Sequence, residues 1–306
     1  MRKVKIFWKL LKMAFVEFFA DGSLRHSASL SFYTIFAMAP LLIIVISLAG
    51  IFFGVDAVEG KIYVQINELV GDAAAAEIQD IIKNVEASES SRGGAIIGFI
   101  ILIIGASGVF TEIQDSINYI WSVKAKPKKG WLKIIINRLL SFSLIASFGF
   151  LLLVSLLVNT LMDLLSDRMK LFLPNATIYF FQFLNVLLIF LIISCLFAII
   201  FKVLPDALIR WRDAFIGAFF TASLFIGGKF LIGFYLSKFN VRATFGATAS
   251  IILILLWVYY SSIILYFGAE FTKVYAMNYG GKIIPNDTSV FIVKQEVREI
   301  DVSIKK

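Results

Sequence analysis

Six stretches of this chain run without Asp, Glu, Lys or Arg over lengths that can cross a lipid bilayer. They are His26–Val55, Gly93–Thr111, Leu139–Met162, Leu171–Phe201, Ala214–Ser237 with Lys229 as the one charge inside it, and Ala243–Ala269. About 20 apolar residues in a helix cover the roughly 30 Å hydrocarbon layer. Lipid offers no hydrogen bonds, so each such run must satisfy its backbone internally, as an α-helix does. The expected fold is all-α: a polytopic membrane bundle of six transmembrane helices, at about 28–53, 94–111, 139–161, 178–201, 214–236 and 245–269, within a membrane domain of residues 26–282. Composition agrees. The chain is 59% hydrophobic and 16% charged, against about 45–50% and 25% for soluble domains. That excludes a soluble globular enzyme and a disordered chain.

The connections sort by charge. Six bases lie from Arg2 to Arg25, six from Lys124 to Arg138, three at Lys202, Arg210 and Arg212, and six from Lys273 onward. These are 21 of the 29 Lys and Arg, against seven in the other connections. Basic connections stay cytoplasmic, so both termini are expected on that side, and an even number of spans agrees. A net charge of +8 would suggest nucleic acid in a soluble chain. Here the sorting accounts for it, and no nucleic-acid partner is expected.

Residues 1–25 read as an amphipathic interfacial helix. Arg2, Lys5, Lys9 and Lys12 fall on one face, with Val4, Phe7, Leu11, Phe15 and Phe18 opposite. Such a helix lies in the membrane surface with its basic side toward anionic head groups. The external connection 56–92 holds eight acids and three bases. Val58, Ile62, Ile66 and Leu69, then Ile78, Ile81, Ile82 and Val85, recur at helical spacing, giving two short amphipathic helices over the outer mouth. Residues 283–306 are a polar cytoplasmic tail with no assigned role. The basic N-terminus is not followed by a short apolar run with a small-residue cleavage site, so no cleavable signal peptide is expected.

Several motifs recur in a telling order. Ser29-Leu30-Ser31-Phe32-Tyr33-Thr34 runs through Pro40-Leu41-Leu42. Gly108-Val109-Phe110 leads to Gln114, Asn118 and Ile120-Trp121-Ser122-Val123. Leu204-Pro205-Asp206 precedes Trp211-Arg212-Asp213-Ala214 and Gly217-Ala218. Gly228-Lys229 and Tyr235 follow, then Gly246 to Ser250 and Leu256-Trp257-Val258-Tyr259-Tyr260-Ser261. Gly268-Ala269-Glu270-Phe271-Thr272 and Tyr275-Ala276 close the series. In this order, over about residues 20–282, the chain resembles the YihY/BrkB family of integral membrane proteins, once labelled ribonuclease BN. It departs at Phe245-Gly246-Ala247, where many members have Tyr-Gly-Ala. The resemblance implies a multi-pass protein of the bacterial cytoplasmic (inner) membrane. It also implies transport or export of lipid-like or small molecules as the class of activity.

Ionisable groups at membrane depth are costly and point to function. Lys229 follows Gly227-Gly228 inside the fifth span, and placing a lysine at the bilayer centre costs about 2.5–3.5 kcal/mol. The two glycines permit a close approach or a bend. Glu270 ends the last span, with Arg212 or Lys273 as its expected partner rather than Lys229. His26, the only histidine, stands at the inner mouth of the first span, where it can meet a head group or relay a proton. Asp21, Arg25, His26 and Glu270 are expected to line an inner vestibule, with Tyr33 a further pathway candidate. Pro40 kinks the first span, and Arg212 with Asp213 forms a charge cluster near the cytoplasmic surface. Gly94 with Gly98, Ala218 with Ala222, and Gly246 with Ser250 read as packing faces. Cys195 is the one cysteine and reads as a packed thiol.

One histidine and one cysteine make no zinc site of N/S type. The acids expected inside are scattered, whereas metal-dependent phosphodiester cleavage needs them clustered. There is no phosphate-cradling Gly-x4-Gly-Lys-Ser/Thr loop and no Gly-x-Ser-x-Gly elbow. No catalytic residue, metal or cofactor is expected, the chain is not expected to be an enzyme, and a ribonuclease is argued against. The leading reading is a transporter or flippase-like exporter of an amphiphilic or anionic small molecule, with its path between the first, fifth and sixth spans. The second is a non-transporting scaffold that maintains the envelope.

Overall fold

The structure, a computed structural model, describes residues 2–36, 108–126, 174–238 and 249–294. Pro40, the external segment 56–92, the span 139–161, most of the span 94–111 and Phe245 lie outside the described residues. So does the first span beyond residue 36. Among the described residues the helices are α1 (Arg2–Ala20), α2 (23–36), α3 (108–120), α4 (Pro174–Val203), α5 (Trp211–Lys238) and α6 (Ala249–Asn278). Three of them are long and apolar enough to cross a membrane, over Val186–Val203, Trp211–Ile232 and Ile252–Asn278.

Half of the apolar stretch of α6 is buried, against 22% in α4 and 28% in α5. That makes α6 the axis of the bundle. Its Leu265, Tyr266 and Ala269 share one core with Ile113 and Ile117 of α3 and Phe201 of α4.

The α5–α6 seam is set by glycines facing threonines. A Cβ on Gly217 would lie 1.8 Å from Oγ1 of Thr272, and one on Gly268 would lie 2.0 Å from Oγ1 of Thr221. Each threonine hydroxyl donates to a carbonyl four residues back, Thr221 to Gly217 at 2.7 Å and Thr272 to Gly268 at 2.6 Å. The small residues bring the backbones together, and the hydroxyls are satisfied without crossing the seam. Further along, Gly228 receives the phenol of Tyr260, whereas nothing approaches Gly227. The contacts 217 to 272, 221 to 268 and 228 to 260 fix an antiparallel register.

The chain folds α1 across the C-terminal part of α6. Phe7 meets Phe271 and Phe220, while Phe18 meets Phe267. Leu10 and Ala14 pack with Phe271 and Val274, so α1 lies against residues 267–275 of α6. Leu10, Ala14 and Phe18 are the buried face. Val4, Trp8, Phe15 and Phe19 form a second, exposed apolar face, flanked by exposed Lys5, Lys9 and Lys12. The single apolar face expected from sequence is thus divided into one that packs and one that does not.

Two small antiparallel ladders break the all-helical pattern. β1 (Val123–Ala125) pairs with β4 (Ser289–Phe291), and β2 (Ala207–Leu208) pairs with β3 (Ile284–Pro285). Loops folded under a bundle must still satisfy their backbone groups, and these ladders do so. Asp206 is the hub. Its carboxylate accepts from Asn118 Nδ2 at 2.9 Å, its N–H donates to Asn118 Oδ1 at 2.8 Å, and its carbonyl accepts from Asn286 N–H and Ser289 Oγ. The first half of the segment expected as a tail is therefore packed. The region after α3, the α4–α5 connection and the segment after α6 meet at one end of the bundle, beside the end of α1. These are pieces of the four segments that the charge count assigns to one side.

Gly217→Ala is expected to lower stability by about 1–3 kcal/mol through overpacking. Gly227→Ala, the same change into open space, should keep or raise stability, since alanine favours a helix by up to about 1 kcal/mol. Thermal melts in detergent compare the two, and equal melting points would contradict the seam. Asn118→Ala strips a buried carboxylate of its amide and should cost about 1.5–3 kcal/mol. Limited proteolysis should then cut the 204–210 connection faster than in the parent, and unchanged cutting would mean Asn118 does not hold it.

Candidate functional site

Glu17 lies in the last turn of α1 and Asp21 one turn further. Gly22 takes a left-handed φ of 64°, which glycine adopts without strain, and turns the chain into α2. Ser23 and His26 follow on one face. Glu112, Ser116 and Tyr119 recur at helical spacing on α3, and Tyr266, Glu270 and Lys273 do so on α6. Lys294 arrives from beyond β4.

Lys273 is the electrostatic centre. Its Nζ lies 2.6 Å from Glu17 Oε2 and 3.4 Å from both Asp21 Oδ2 and Glu270 Oε2. Lys294 Nζ reaches Asp21 Oδ2 at 2.5 Å and lies 4.3 Å from the Tyr119 ring centroid. Burial, with Lys273 nearby, holds the Lys294 pKa below the ordinary lysine value despite Asp21. Glu270 is completely buried. A charge taken from water is tolerable only when partnered, and this network provides the partners.

A second polar group adjoins it. Ser116 Oγ lies 3.1 Å from His26 Nδ1 and donates to Glu112 Oε1 at 3.3 Å; Glu112 is itself 3.9 Å from His26 Nδ1. Burial alone would raise the Glu112 pKa. Contacts with His26, Ser29 and Ser116 outweigh it and set the pKa below the ordinary carboxyl value. The His26 ring sits 5.4 Å from Tyr119 and 6.3 Å from Tyr266, between centroids. Outside this group, a cleft of about 400 Å³ opens beside Asp21, Arg25 and Tyr119.

The candidates named from sequence separate into two sets. Asp21, His26 and Glu270 come together, with Arg25 at the cleft. Lys273 is the partner of Glu270, whereas Arg212 is exposed. Asp213 is buried and accepts the Gly281 N–H at 2.7 Å, fixing the turn after α6. Tyr33 lies two turns beyond His26, its ring against Gly108. Lys229 is half-buried beside Gly228, which faces Tyr260. Ten residues separate Tyr260 from Glu270, so Lys229 lies about 15 Å along the bundle from the cluster. Cys195 is a half-buried free thiol. Glu17, Glu112, Ser116, Tyr119, Tyr266 and Lys294 were not singled out from sequence. For all but Lys294, the available signal was polar residues recurring every three or four positions on helices that pack together. Among the described residues no three His, Cys, Asp or Glu are placed to hold a metal.

A family model described as Virulence factor BrkB matches residues 14–288. The UPF0761 membrane protein of Azotobacter vinelandii is 28% identical over 271 residues, covering 86% of this chain and 62% of the relative. That of Pseudomonas aeruginosa (strain LESB58) is 27% identical over 255 residues, covering 83% and 59%. That of Psychromonas ingrahamii is 25% identical over 280 residues, covering 89% of each. The chain spans about three fifths of the length of the first two relatives. No solved structure matches it with significance. The family match takes in Asp21, His26, Glu112, Glu270 and Lys273, and by its extent the chain belongs to the BrkB family of membrane proteins.

Proposed function

We propose that this protein is a six-span transporter or flippase-like exporter of an amphiphilic or anionic small molecule. It resides in the bacterial inner membrane with both termini cytoplasmic. The observation that carries the reading is the buried network around Lys273, whose Glu270 is fully enclosed within the apolar stretch of α6. Ionisable groups inside a membrane helix are costly and mark substrate or ion pathways by default. The cleft beside Asp21 and Arg25 supports an inner vestibule. The tight α5–α6 seam argues for a path along the α2–α3 side of α6 instead of between the fifth and sixth spans. The exposed apolar and basic faces of α1 suit a helix resting on anionic lipid. The chain acts without a cofactor or nucleic-acid partner in this reading, and it is not an enzyme.

The topology predicts that reporters inserted in the α4–α5 connection and after Lys294 both read cytoplasmic. Opposite signals, or an external signal from both, would overturn the threading. The transport reading predicts that deleting the gene redistributes a lipid or small metabolite between cells and medium. The wild-type chain should restore the distribution. Lys273→Met, matched for membrane level and melting point, should lose most of that restoration, and Lys273→Arg should regain part of it. If deletion changes no distribution, or Lys273→Met restores it fully, the reading is wrong.

A further inference from the structure

Four buried side-chain polar atoms among the described residues have no hydrogen-bond partner in the protein: Ser23 Oγ, His26 Nε2, Tyr266 OH and Glu270 Oε1. Buried polar atoms are almost always paired, so their grouping is informative. Ser23 and His26 are one turn apart on α2. Tyr266 and Glu270 are one turn apart on α6. The His26 and Tyr266 rings lie 6.3 Å apart, and Asp21, two residues before Ser23, shares the Lys273 ammonium with Glu270. The four atoms thus belong to one facing stretch of two helices. Ser23, Tyr266 and Glu270 are each fully buried.

We propose that these four groups form a buried proton-binding site, in which a proton held between Asp21 and Glu270 can pass to His26 through hydroxyls and water. Charge supplies the first reason. Glu17, Asp21 and Glu270 face Lys273 and Lys294, leaving one carboxylate in excess, and one proton balances the group. Glu270 is the natural holder, since its Oε1 receives no hydrogen bond while its Oε2 meets Lys273.

Hydrogen-bond bookkeeping supplies the second. Ser116 has a single hydroxyl hydrogen and gives it to Glu112. With that hydrogen on Glu112, the 3.1 Å contact with His26 Nδ1 is assigned as a hydrogen bond donated by Nδ1–H. In the neutral ring, Nε2 is left as the acceptor. When the proton moves, the Glu270 O–H bond breaks and an Nε2–H bond forms. Each intervening hydroxyl or water accepts one proton and releases another. The carboxylate left behind faces Lys273, and the imidazolium faces Glu112, so both ends of the transfer have a counter-charge. Tyr119, against His26 and Lys294, closes the other side. The site stands without the transport reading; if that reading also holds, the proton is the coupling ion.

His26 is the only histidine, so 15N-histidine labelling of the full chain in lipid gives one imidazole signal. That signal should show the Nδ1–H tautomer near neutral pH. Infrared spectra should show a protonated-carboxyl C=O stretch that shifts in D2O, is lost in Glu270→Gln and is kept in Glu112→Gln. An Nε2–H tautomer, or a carboxyl band that is absent from the wild type or undiminished in Glu270→Gln, would overturn the proposal. These spectra require no substrate, so their failure leaves the transport reading to be judged separately.

Discussion

A single ammonium, that of Lys273, meets carboxylates from three parts of the chain: the end of α1, the turn after it, and α6 itself. Desolvating a charge costs several kcal/mol even after relaxation. Lys273 and Glu270 therefore depend on α1 staying in place across α6, and α1 is held there by Leu10, Ala14 and Phe18. The apolar contact and the ionic contact support each other, because loss of either exposes or strands the other. Lys294 extends the dependence to the segment beyond α6 by taking Asp21 as its partner.

The glycine–threonine seam explains why this polarity gathers where it does. On the α5 side of α6, Gly217, Thr221, Gly268 and Thr272 close the gap between backbones, and the core holds Ala218 and Ala269. That side has no room for a polar cavity. On the side facing α2 and α3, larger side chains separate the helices, and Tyr266, His26, Glu112 and Ser116 fill the space. Tyr266 and Glu270 lie one turn apart, as do Gly268 and Thr272, two residues on. Opposite faces of one helix thus perform opposite tasks, one sealing and one polar.

Much of the architecture was legible in the sequence. The three long apolar helices overlap the expected spans 178–201, 214–236 and 245–269 and run past their ends, because uninterrupted apolarity leaves a backbone few alternatives in lipid. The charge count also grouped the four segments that the structure brings together at one end. The site was legible only in part. His26, Asp21 and Glu270 stood out through rarity or depth, but Glu17, Glu112 and Ser116 are ordinary polar residues until packing selects their neighbours. Lys294 was unreadable, since its role depends on β4 pairing with β1, and two-to-three-residue strands leave no periodic trace. Arg212 and Asp213, adjacent in sequence, have different surroundings. Adjacent residues on a helix point about 100° apart, so one reached solvent while the other capped a turn.

Lys229 shows how depth in the sequence differs from place in a site. It is the one charge within the fifth apolar stretch, and on hydropathy alone it is the most costly residue in the chain. The register places it beside Tyr260, about 20 Å from Lys273 along the bundle. It lies next to Gly227, which faces open space, and near exposed Phe230 and Leu231. A long side chain there can run along the helix surface toward a polar boundary, whereas Glu270, with no exposed surface at all, cannot. Burial within the bundle, more than position along a span, is what ties an ionisable group to its neighbours. By that measure the polar face of α6 toward α2 and α3 is where function should be sought first.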